Sequence, residues 1–101
     1  MVEIREKQKG EYVFILKSNA ETILLNSIVF KTREALERTV SSLPNLIQNA
    51  NCFERKTNHN GKFLFLFKNK EGSIIGQSLL YNSEAGMENG IKNTKKSIDR
   101  L

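Results

Sequence analysis

The side chains best suited to chemistry in this sequence are Cys52 and His59, each the sole residue of its type. A thiol in contact with an imidazole becomes a nucleophile, because the ring takes the thiol proton. Seven positions separate the two, which on an extended strand is on the order of 20 Å, far beyond hydrogen-bond reach. They read as a strand cysteine and a solvated turn histidine. Glu34 with Glu37, and Glu84 with Glu88, could pair for acid-base work, but each pair lies near a helix start, where negative charge meets the helix dipole favourably. One histidine and one cysteine leave no donor set for a transition metal. The segment Gly86-Met87-Glu88-Asn89-Gly90 reads as helix interior and lacks the lysine of a phosphate-binding loop. The chain is therefore expected to be no enzyme and to need neither cofactor nor metal.

Charge offers a second chemistry. The net charge is +5, from seven basic and six acidic side chains in residues 1–50 against nine and five in residues 51–101. Lys92, Lys95, Lys96 and Arg100 gather near the carboxyl end and could contact phosphates independently of base sequence. Sequence-independent nucleic-acid binding is thus the alternative functional reading. A solvated helix face is the plainer one.

The elements that position these residues follow from repetition. An ungapped offset of 51 (61 minus 10) places Gly10 on Gly61, Phe14 on Phe65, Lys17 on Lys68, Ile23 on Ile74, Ser27 on Ser78 and Glu37 on Glu88. The chain reads as one domain over residues 1–101 made of two repeats, about 1–51 and 52–101. Short strands are expected at Val2 to Glu6 and Cys52 to Thr57. Turns at Gly10 and Gly61 fold them onto the apolar runs Tyr12 to Leu16 and Phe63 to Phe67. Third strands are expected over Thr22 to Phe30 and Ser73 to Tyr81, rich in β-branched and aromatic residues. Thr32 and Ser83 are N-caps. The spacing of Leu36, Val40 and Leu43 predicts a helix from about Arg33 to Leu43, with Glu34 pairing to Arg38 and Pro44 ending it. A second helix runs from about Glu84 to Ile98 with Met87, Ile91 and Thr94 on one stripe, and Gly86 and Gly90 allow it to approach the sheet closely.

Gly61-Lys62-Phe63-Leu64-Phe65, Ile74-Ile75-Gly76-Gln77-Ser78 and Tyr81 to Ile91 resemble the YegP-like family, bacterial and archaeal domains that are mostly uncharacterised. The first half is similar through Gly10 to Phe14 and Ile23 to Ser27, while Thr39-Val40 stands where the family usually has Gly-Ile. The resemblance implies an α+β fold in which two tandem β-β-β-α(-β) repeats share one antiparallel sheet with helices on one face. It also implies that a strand after each helix crosses to the neighbouring unit, although here the chain stops at Asp99-Arg100-Leu101. Some family members have one unit that dimerises. No reaction is implied.

Alternation then singles out a surface. Tyr12, Phe14, Leu16, Phe63, Phe65 and Phe67 face the helices, and the opposite face of a one-sided sheet should be polar. This sequence puts Val13, Ile15, Leu64 and Leu66 there, joined by Ile28 and Leu79 if the third strands keep the same sidedness. Six large apolar side chains exceed what a soluble monomer leaves bare. The leading expectation is an interaction module, a homodimer or a binder of an unidentified protein, using that face or an edge strand. One cysteine and no long apolar run point to a cytoplasmic protein without a membrane segment.

Overall fold

The computed structural model describes residues 1–101. Strands β1 (Val2–Gln8) and β2 (Glu11–Lys17) are joined by a turn in which Gly10 takes φ +80°, a conformation that costs glycine little. Strand β3 (Ile23–Ser27) and helix α1 (Arg33–Leu46) follow. A one-turn 3-10 helix (Ala50–Cys52) leads into β4 (Phe53–Thr57), β5 (Phe63–Lys68), β6 (Ile74–Gln77) and helix α2 (Glu84–Asp99). All six strands form one antiparallel sheet in the order β1-β2-β3-β6-β5-β4.

The expected third strands are shortened by a bulge that occurs in the same form twice. Ile15 opposes Asn26, yet Tyr12 bridges to Phe30, so Phe14 and Val13 face Ser27, Ile28 and Val29. Leu66 opposes Gln77 while Phe63 bridges to Tyr81, leaving Phe65 and Leu64 facing Ser78, Leu79 and Leu80. An extra residue takes a ladder partner away. Here a serine hydroxyl replaces it: the Phe14 N–H donates to Ser27 Oγ at 2.8 Å and the Phe65 N–H to Ser78 Oγ at 2.9 Å. Each hydroxyl donates onward to the next carbonyl, that of Ile28 or Leu79.

Both helices begin where expected. Thr32 Oγ1 accepts from the Ala35 N–H and Ser83 Oγ from the Gly86 N–H, each satisfying a donor of the first turn. Pro44 does not end α1, which continues to Leu46. Proline removes one donor near the last turn, while burial of Leu43 and Leu46 holds that turn down and the Ile47 N–H still reaches the Leu43 carbonyl. The ion pair on α1 is Arg33 with Glu37 rather than Glu34 with Arg38.

The helices pack on one face of the sheet over a core that includes Phe14, Leu16, Phe65, Phe67, Leu25, Leu36, Leu43, Met87, Ile91 and Ile98. Tyr12 and Phe63 lie half-buried at its margin. Helix α2 rests on β5 and reaches across to β2 and β3. It lies so close to Tyr81 that a Cβ at Gly90 would come within 2.3 Å of the tyrosine Oη.

No strand follows α1 to cross into the other half. The next strand, β4, pairs only with β5 at the sheet edge. The two halves instead meet where β3 opposes β6, through Asn26 with Gln77 and Ser27 with Gly76. The Ile28 N–H adds a bond to the Ile75 carbonyl at 2.8 Å.

Candidate interaction surface

On the face away from the helices the register sets Arg5 and Glu3 beside Val13 and Ile15, and Lys56 and Glu54 beside Leu64 and Leu66. Asn26 and Gln77 oppose one another at the centre. Lys17 reaches Glu3 at 3.0 Å, and Arg5 also pairs with Glu3. Lys68 pairs with Glu54, and Lys56 stands 3.5 Å from it. The Lys17 and Lys68 side chains are only 17% and 26% exposed, so their methylene stems lie along the sheet and only the ammonium tips meet water. These ammonium groups hold the Glu3 and Glu54 carboxyls below the usual carboxylate range, with hydrogen bonds from Lys17 and from Lys68 as the largest causes.

That arrangement corrects the expected six-residue face. Ile15, Leu64 and Leu66 are buried and Val13 is half-buried, and each stands in register beside a charged residue of β1 or β4. Alternation places those aliphatics correctly but says nothing of the long stems beside them. Ile28 and Leu79 are 44% exposed. Each follows its bulge, so sidedness does not run through to them from the regular strand.

The exposed large apolar side chains, apart from those at Met1 and Leu101, are Ile28, Val29, Ile74, Leu79 and Leu80. Four of these five line one groove over the β3–β6 seam, a space of about 400 Å3 walled otherwise by Asn26, Ser27, Gly76, Gln77 and Ser78. Its lining carries no charge. Val29, Ile74 and Leu80 were missed in the sequence, although Ile28-Val29-Phe30 and Leu79-Leu80-Tyr81 gave a signal: three consecutive apolar residues cannot all face one side of a strand.

The other candidates are kept apart. Cys52 is buried, and burial pushes its thiol up from the ordinary value. His59 lies exposed beyond the far end of β4, so the two do not meet. Glu88 is held by Arg55, whose Nη2 donates to it at 3.0 Å beside a second bond from Nε. The Glu88 carboxyl is lowered and the Arg55 guanidinium raised, each chiefly by that hydrogen bonding. No three carboxylate, thiol or imidazole groups converge on a metal-sized site. Lys92, Lys95, Lys96 and Arg100 are exposed along or just past α2 and form no ion pair. Lys95 Nζ stands 5.6 Å from the Phe53 ring centroid.

Relatives share this fold. A UPF0339 protein of Pseudomonas aeruginosa is 31% identical over 94 residues, spanning 93% of this chain and 86% of that protein. The chain belongs to the UPF0339 (YegP) family. YegP of Escherichia coli K12 is also 31% identical over 94 residues, covering 92% and 84% of the two chains. The family model matching residues 58–99 is described as a domain of unknown function, DUF1508. The solution structure of E. coli YegP, itself described as of unknown function, superposes with a TM-score of 0.87 at 27% identity over 96% of this chain and 84% of that one. A UPF0339 protein of Shewanella oneidensis gives 0.88 at 23% identity over 94% and 80%, a likeness of fold. No specific function is attached to the YegP family by these relatives, and no helix of this member is long and apolar enough to cross a membrane.

Proposed function

We propose that the chain is a non-enzymatic interaction module of the cytoplasm, a single duplicated domain that self-associates as a homodimer through the seam groove. The observation that carries this reading is the gathering of Ile28, Ile74, Leu79 and Leu80 around an uncharged groove. A second copy is favoured as occupant by symmetry. Asn26 and Gln77, 51 positions apart, oppose one another, and the two bulges and their serine bonds recur at the same offset. Three counterpart pairs, Asn26 with Gln77, Ser27 with Ser78 and Ile28 with Leu79, flank the seam, while Ile74 and Leu80 extend the groove on one side, and an isologous dimer needs a patch that fits itself. The edge strands are poorer candidates, since β1 carries Glu3, Arg5, Glu6 and Lys7 and β4 carries Glu54, Arg55 and Lys56, charges that oppose strand addition.

Light scattering behind size exclusion tests this. Wild type is expected at twice 11.6 kDa at micromolar concentration, and Leu79→Lys with Leu80→Lys at the monomer mass. A wild type that stays monomeric defeats the self-association reading. The weaker alternative, nucleic-acid binding, is favoured by the unpaired Lys92, Lys95, Lys96 and Arg100. It predicts binding to labelled nucleic acid that falls steeply with salt and is weakened when these residues are neutralised.

A further inference from the structure

We infer that the β3–β6 seam is an exchangeable interface, so that two copies of this chain can trade halves and form a closed, domain-swapped dimer. This association is separate from docking at the seam groove, whose side chains remain on the outside in either form.

Three features of the chain lead there. In the sheet the halves are joined by the Asn26–Gln77 and Ser27–Gly76 pairs and the Ile28 bond to Ile75. Covalently they are joined by the short segment between Leu46 and Phe53, whose backbone bonds are local, such as Cys52 N–H to the Asn49 carbonyl, and which is held to the core by Ile47 and the buried Cys52, so that exchange requires this segment to come free. Helix α2 crosses onto β2 and β3, and Ser97 Oγ donates to the Lys17 carbonyl at 2.8 Å. Every contact between the halves across the seam and under α2 can therefore be made whether the other half is in the same chain or in a second copy. Exchange of identical elements sacrifices none of them.

The seam also specifies which halves pair. On the core side Leu25 lies over Gly76, where a Cβ would come within 3.0 Å of Leu25 Cγ and 2.9 Å of the Asn26 carbonyl oxygen. The repeat offset makes Leu25 and Gly76 counterparts. Two first halves would bring leucine against leucine, and two second halves would set glycine against glycine over a void. First halves accept second halves, so an exchanged pair satisfies both seams and stops at two chains.

The test uses the directly opposed Asn26 and Gln77, a spacing suited to a disulfide. In the full chain carrying Asn26→Cys, Gln77→Cys and Cys52→Ala together with Leu79→Lys and Leu80→Lys, which remove groove docking, closed monomers cross-link internally and exchanged dimers cross-link between chains. After refolding from denaturant at rising protein concentration, non-reducing denaturing gels are expected to show a growing covalent dimer with native circular dichroism. Internal cross-links alone at every concentration overturn the inference. If the cysteines do not oxidise, the Leu79→Lys, Leu80→Lys chain decides. Refolded concentrated, it is expected to contain a dimer that persists on dilution, because separation requires unfolding. A monomer only, or a dimer that dissociates at once, overturns the inference. Asn26 and Gln77 themselves line the groove, so both arms carry Leu79→Lys and Leu80→Lys to remove groove docking, which is judged separately on the chain with the groove intact.

Discussion

Tyr81 and Gly90 fit as a pair: the ring stacks on Phe65 with centroids 6.4 Å apart, and its hydroxyl end occupies the space a Cβ at residue 90 would need. At the counterpart positions Phe30, with no hydroxyl, stands with Thr39. Helix propensity alone favours Gly90→Ala by up to about 1 kcal/mol. Overpacking costs about 1–3 kcal/mol, and a contact of 2.3 Å forces the ring or the helix to move. Gly90→Ala should therefore lower the urea midpoint, and adding Tyr81→Phe should recover only part of the loss because Cζ still lies 2.6 Å from the new methyl. An unchanged or raised midpoint for Gly90→Ala would show that α2 is free to shift. The glycine spacing was legible in the sequence as close approach. Its partner was not, because nothing in the order of residues tells which ring lies beneath a helix.

Between elements, the ion pairs tie β1 to β2 through Glu3 and Lys17, β4 to β5 through Glu54 and Lys68, and β4 to α2 through Arg55 and Glu88. All three carboxyls are lowered. A carboxylate with a depressed folded-state pKa stabilises the fold above its unfolded pKa, and the contribution disappears as pH falls through the folded value. The pair at Glu88 is solvent-exposed and contributes about 0–1 kcal/mol. Glu88→Gln should thus unfold at lower urea than wild type at pH 7, and the gap should close as pH falls through and below the glutamate range of about 4 to 5. A gap that widens in acid would mean that the carboxylate is destabilising. At this scale the sequence was informative about strand alternation and the caps at Thr32 and Ser83. The bulges were hidden, since an extra residue leaves composition unchanged, and they moved Ile28 and Leu79 out of the regular face. The burial of Ile15 and Leu66 was hidden too, because the charged residues in register beside them, Glu3 and Glu54, read as solvent-facing.

For the molecule as a whole, the radius of gyration of 13.1 Å is that of a single folded unit of about 100 residues. The core cluster takes Phe14, Leu25 and Leu36 from one half and Phe65, Met87 and Ile98 from the other, so neither half has a core of its own to retain. Pattern at offset 51 made the recurring strands and caps legible, and the Leu25–Gly76 difference is the part it concealed: a difference between matched positions reads as drift until the two are known to meet. Gly76→Ala sets its methyl 2.9 Å from the Asn26 carbonyl, a backbone atom that cannot swing aside. The seam must then open slightly, at the overpacking cost of about 1–3 kcal/mol. Because both halves share the seam and the core, unfolding should remain one transition. Amides of β2 and β5, followed by hydrogen exchange, should lose protection by equal amounts in this variant. Loss confined to one of the two strands would show that the halves are separately stable, and the seam would then be a contact between independent units instead of the joint on which both depend.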